Sequence, residues 1–163
     1  MPKRSAALLV YRLGDELGLE VLIGHMGGPF WAKKDARGWS IPKGEYEDGE
    51  EPLSAARREF GEEMGSPPPD GDLIELGDCR QSSGKVITTY AVEGGFDLGG
   101  FHSDTFAMEW PKGSGRIQEF PEIDRADWVP FERAGELLVK GQVPIIAALR
   151  EALLAKGVRV DPR

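Results

Sequence analysis

Glu59, Glu62 and Glu63 fall within five consecutive residues, in a stretch with the composition of a helix. Separations of three and four residues bring side chains together on a helix surface, so the three carboxylates share one arc. Like charges placed this way repel one another, and a helix that needed only solubility would interleave lysines. A hard divalent cation removes that penalty. Mg²⁺ takes oxygen ligands in near-octahedral geometry and keeps positions for water and phosphate oxygens, which suits carboxylates along a helix edge. The competing reading is a solvated acidic face with no ligand. With one cysteine, Cys79, and two histidines, His25 and His102, a conventional zinc site is out of reach, so oxygen must hold any bound metal.

The helix that presents these glutamates is expected from Glu51 or Pro52 to Met64. Leu53, Ala56, Phe60 and Met64 recur at three- and four-residue intervals as an apolar stripe beside the acidic arc. A proline stands in its first turn, and Gly65 followed by Pro67-Pro68-Pro69 closes it.

Upstream spacing adds a second layer. From Gly44 the chain reads GEYEDGEEPLSAARREFGEEMGS, which resembles the Nudix signature G-x5-E-x7-R-E-U-x-E-E-x-G-U, where U is a bulky apolar residue. Gly44, Glu50, Arg58, Glu59, Phe60, Glu62, Glu63 and Gly65 stand in register, and Ser66 departs from the pattern at the final U. The resemblance implies the family's α/β/α sandwich around a mixed β-sheet, with residues 1–163 as one domain. It implies Glu59, Glu62 and Glu63 as metal ligands, the carbonyl of Gly44 as a further one, and a structural salt bridge between Glu50 and Arg58. The implied activity is Mg²⁺-dependent hydrolysis of a pyrophosphate bond in a nucleoside-diphosphate-linked compound, with Mn²⁺ as a substitute ion. Nucleoside triphosphates, dinucleoside polyphosphates and nucleotide sugars all remain candidate substrates, because a fold and a signature do not select among them. The alternative is a module that kept the fold and binds nucleotide without catalysis.

Attack of water on a phosphorus shielded by anionic oxygens needs charge neutralisation and a base. Glu62 is one candidate base, although a carboxylate committed to metal is a poorer one than a free carboxylate held one water away. Glu122, in Gln118-Glu119-Phe120-Pro121-Glu122-Ile123, lies on an expected loop where some family members place the base, and Glu119 competes with it. Lys43, Arg80 and Lys85 are the basic residues expected to contact phosphate. Of the aromatic residues Trp31, Trp39, Tyr90, Phe101 and Trp110, the pair Phe101 and Trp110 is the expected platform for a base.

These residues need a frame. Ser5 to Arg12 and Leu19 to Met26 read as a β-hairpin, and Leu73 to Arg80 with Lys85 to Val92 as a second strand pair around Gln81-Ser82-Ser83-Gly84. Six glycines interrupt the stretch from Glu93 to Arg116, which reads as a long excursion with one strand-like piece, Asp104 to Trp110. Ala126 to Pro130 is expected as the last strand, and Phe131 to Leu138 and Val143 to Leu154 as helices. Strands and helices in this order pack as a mixed sheet with helices on both faces. At 163 residues and 40% hydrophobic content, such a core needs no staples. The apolar run from Ala6 to Tyr11 is too short for a signal segment or membrane span, so a cytoplasmic protein is expected. A net charge of −8 argues against long nucleic acid as a partner. A small nucleotide is the expected partner, with homodimerisation left open.

Overall fold

The computed structural model describes residues 3–162. Its frame is a seven-stranded mixed sheet built around β1 (Arg4–Gly14) and β2 (Gly18–Met26). These two strands form the expected hairpin, closing at the pair Gly14↔Gly18, and then diverge. The chain from Trp39 to Glu45 fills the gap between them. It pairs first with β2 as β3 (Trp39–Ser40), then crosses to pair with β1 as β4 (Lys43–Glu45), in the register Ala6↔Gly44. On the opposite edge of β1 runs β6 (Val86–Glu93), parallel to it from Arg4↔Val86 to Tyr11↔Glu93. β5 (Leu73–Arg80) pairs antiparallel with β6 at one end of the sheet, and β9 (Ile123–Pro130) pairs with β2 at the other.

The continuous apolar run in β1 follows from burial on both faces. Ala6, Leu8 and Val10 pack against Ala56, Phe60 and Met64 of α1 (Pro52–Met64), the helix carrying the acidic arc. Ala7, Leu9 and Tyr11 point the other way, toward Ala134 and Leu137 of α2 (Phe131–Leu137) and Ile145, Ile146 and Leu149 of α3 (Val143–Ala155). α1 ends where expected: Gly65 adopts φ of 83° and its N–H donates to Gly61 O, a left-handed cap that favours glycine.

Two expectations need correction. The segment after Glu93 is not a loop with a single strand: β7 (Thr105–Glu109) pairs antiparallel with β8 (Ile117–Pro121) as a separate two-stranded sheet. Ile117, Gln118 and Glu119 are all exposed, so β8 lacks the alternation that marks a strand lying on a core. β9 begins at Ile123 rather than Ala126, because its first residues continue along β2 past a register shift between His25 and Met26. Buried His25 anchors this edge, with Nδ1 2.8 Å from Asp124 Oδ1 and Nε2 2.5 Å from the Lys34 carbonyl. No helix among the described residues is long and apolar enough to cross a membrane.

Candidate active site

β4 lies directly against the acidic arc of α1. A Cβ at Gly44 would overlap the carboxylate of Glu59, so any larger residue there would force that side chain out of its present position. One residue earlier, the Lys43 N–H donates to Glu63 Oε1 at 3.2 Å. Crossing the gap between β1 and β2 is therefore what brings Lys43 and Gly44 to the helix.

Glu122 arrives by a different route. The last carbonyls of α1 are bonded by the chain that follows η-turn residues 98–100: His102 N–H donates to Met64 O and Asp104 N–H to Glu62 O. In turn Glu122 N–H donates to Asp104 O at 2.8 Å, Ile123 N–H to Ser103 Oγ, and Gly27 N–H to Glu122 O. This ladder of bonds sets the junction between β8 and β9 beside the end of the acidic helix.

An open cleft of about 530 Å³ results. Glu59, Glu62, Glu63, Gly44, Lys43, Lys85 and Glu122, all expected from the sequence, line it together with Glu45, Asp104 and Thr105, which are not among the site residues expected from the sequence. Glu45 follows Gly44 directly and could have been noticed. Asp104 carried no sequence signal, since it reaches the cleft through its bond to the end of α1. Arg80 is not among the lining residues: it ends β5, one strand farther from β4 than β6, and is exposed. Lys85 comes in because β6 and β4 both border the start of β1. Neither expected aromatic lines the cleft. Phe101 packs in the core on the α1 side, and Trp110 meets Phe30 edge-to-face at 5.6 Å. Glu119 lies on β8 outside the lining.

Six carboxylates against two ammonium groups make the cleft strongly anionic. Burial raises the pKa of Glu63 to about 8, with Glu59 and Glu122 adding to it against the pull of Lys43. Burial first, and the charge of Glu62 second, also raise Glu59. Glu122 is raised by burial and by Asp104, against Lys43, while Lys43 is lowered by burial and by Lys85. Perturbed groups gathered in one cleft are a mark of functional sites. One consequence is measurable without any ligand. Because the folded protein holds a proton on Glu63 up to about pH 8 and the unfolded chain releases it near the ordinary value of 4.5, this contribution to stability declines as pH rises through that window. Metal-free thermal midpoints of the wild type should therefore fall relative to those of Glu63→Gln between about pH 5 and 8; parallel curves would refute this.

Glu50 and Arg58 are joined as expected, through Nε to Oε2 and Nη2 to Oε1, both at 3.2 Å. Arg58 also donates to Glu59 at 2.9 Å and to Glu62 at 3.4 Å, so it neutralises part of the arc. It is substantially exposed, and such pairs contribute little individually. Arg58→Ala is expected to cost about 1 kcal/mol in all, a fall of roughly 2–4 °C in melting temperature, with a smaller effect on turnover. A calorimetric midpoint equal to the wild type would remove the structural role.

Among the described residues no three acidic, histidine or cysteine side chains are already drawn together as ligands, since Arg58 engages Glu59 and Glu62 and the Lys43 amide engages Glu63. In kind the donors fit a cation: carboxylate oxygens of three helix residues, in a cleft whose excess negative charge is what a hard cation would offset.

The mixed sheet between helices is a fold shared by several solved proteins. The NUDIX domain of Shewanella oneidensis NrtR, solved with ADP ribose, matches with a TM-score of 0.61 at 17% identity, over 94% of this chain and 89% of that one. A Caenorhabditis elegans Ap4A hydrolase matches at 0.62 and 18% identity, over 94% and 98%. The C-terminal domain of mouse MUTYH, solved with human PCNA, matches at 0.60 and 16% identity, over 93% and 90%. At these identities the likeness establishes the fold. The chain belongs to the Nudix family: the NUDIX domain model matches residues 1–152. Members of that family are generally pyrophosphohydrolases acting on nucleotide-linked compounds. Curated protein sequences yield no match.

Proposed function

We propose that this protein is a Mg²⁺-dependent hydrolase of the pyrophosphate bond in a nucleoside-diphosphate-linked substrate. The observation that carries this reading is the meeting of three helix carboxylates, Glu122 and two lysines in one cleft, although they come from α1, β4, the approach to β6 and the β8–β9 junction. Glu59, Glu62, Glu63 and the carbonyl of Gly44 would hold the ion, with Mn²⁺ able to replace it. When bound there, a divalent cation would neutralise phosphate charge and acidify a coordinated water. Lys43 and Lys85 orient phosphate oxygens from the β4 and β6 sides of the cleft. Glu122 receives the proton of the attacking water on its carboxylate, and its raised pKa brings it closer to the pH at which a base works best.

Because Glu63 holds its proton up to about pH 8, binding the ion displaces that proton. Mg²⁺ affinity is expected to rise with pH up to about 8 and level off above it, as read from thermal shifts at several Mg²⁺ concentrations. A pH-independent affinity would remove Glu63 from the ligand set. Incubating the protein and Mg²⁺ with nucleoside triphosphates, dinucleoside polyphosphates, ADP-ribose and other nucleotide sugars, and separating products by chromatography, tests the activity itself. A second reading, a nucleotide-binding module without catalysis, draws on the engagement of Glu59 and Glu62 by Arg58. Nucleotide binding with no product from any compound would favour it.

A further inference from the structure

Glu45 differs from the helix glutamates in its partners. Its Oε1 lies 3.4 Å from Lys85 Nζ and 3.9 Å from Lys3 Nζ, so one carboxylate oxygen sits between two ammonium groups. That is the place a phosphate oxygen would take. The register of the sheet creates it. Ser5 of β1 pairs with Glu45 on one side and with Ile87 on the other, which sets the end of β4 and the approach to β6 on either side of the first residues of β1. Beyond Glu45 a second hollow of about 220 Å³ opens, lined by Lys3, Arg4, Tyr46 and Glu47, and Glu45 borders both it and the cleft.

The Glu45 side chain is 54% exposed, whereas that of Lys85 is 26% exposed. Exposed ion pairs of this kind are weak and screened by salt, so the carboxylate can leave at small cost. A phosphate group brings more charge than one carboxylate and can bond both lysines. We propose that Glu45 is an internal counter-ion that occupies the Lys85 and Lys3 ammonium groups in the free protein and competes with substrate phosphate for them. It thereby weakens phosphate binding at this end of the cleft and makes Glu45 a determinant of affinity. This rests on the reading of the cleft as a phosphate site.

Methylenediphosphonate, which has no P–O–P bond to hydrolyse, is a suitable probe. In isothermal titration with excess Mg²⁺ at low ionic strength, Glu45→Gln should bind it about 3- to 10-fold more tightly than the wild type. The gain should shrink at high salt. It should vanish when Lys3→Gln and Lys85→Gln are also present. Equal or weaker binding by Glu45→Gln, or a gain that survives loss of both lysines, would overturn the counter-ion role while leaving the phosphate site standing. No binding by either protein would overturn the phosphate site itself, and the counter-ion role with it.

Discussion

Replacing Glu59 or Glu63 with Gln should lower Mg²⁺-dependent turnover by about 10²- to 10³-fold while the fold persists, a loss typical of removing one charge-stabilising group from an active site. Each change removes a formal charge and keeps the shape. Glu59 is pressed against the backbone of Gly44, where a glutamine of the same outline still fits. A glutamine at position 63 retains an oxygen for the Lys43 N–H and imitates the protonated form that the folded protein already prefers below about pH 8. Stability and activity should therefore separate: circular dichroism stays near the wild type, and without metal Glu59→Gln melts near the wild type and Glu63→Gln at or above it, while turnover collapses. Excess Mg²⁺ should restore part of the rate of Glu59→Gln, since a weakened ligand set still binds at higher concentration. Turnover near the wild type in both variants would remove the helix carboxylates from the chemistry.

Glu122→Gln should cut the maximal rate about 10²- to 10⁴-fold, the usual share of general base catalysis, with Mg²⁺ affinity nearly unchanged. Excess Mg²⁺ should not help, because the lost function is proton transfer. The wild-type rate should rise with pH through the raised pKa of Glu122, and that limb should be missing in the variant. Glu119 provides an internal control: it lies on β8 outside the cleft, so Glu119→Gln should be silent. A rate profile in which Glu119→Gln fails and Glu122→Gln does not would move the base by three residues. If neither matters, the base is one of the helix glutamates or the water needs none beyond the metal.

Much of this arrangement is legible in the sequence, for reasons tied to distance along the chain. The arc of Glu59, Glu62 and Glu63, the stripe of Ala56, Phe60 and Met64, and the Gly65 cap are consequences of helical periodicity within fourteen residues. The Glu50–Arg58 bridge spans eight residues and is carried by the spacing of the motif. The apolar run of β1 signals a strand covered on both faces, and the structure sets α1 on one face and α2 and α3 on the other. The family, too, follows from local spacing.

What the tertiary structure decided lies between elements far apart in sequence. Lys85 reaches the cleft and Arg80 does not because β6, not β5, borders β1; strand order is set by packing of the whole sheet, and neither lysine nor arginine carries a sign of it. Asp104 and Glu122 come to the end of α1 through backbone bonds, donated to Glu62 O and Asp104 O, and backbone groups are the same at every residue. β8 is not legible because three consecutive side chains, Ile117 to Glu119, are exposed and break the alternation by which a strand is read. Glu45 is paired with Lys3 and Lys85 only because β4 and β6 flank the same few residues of β1. Periodicity records which face of an element is buried, while the partner across a sheet is chosen by the free energy of the assembled core, to which each local segment contributes only a part.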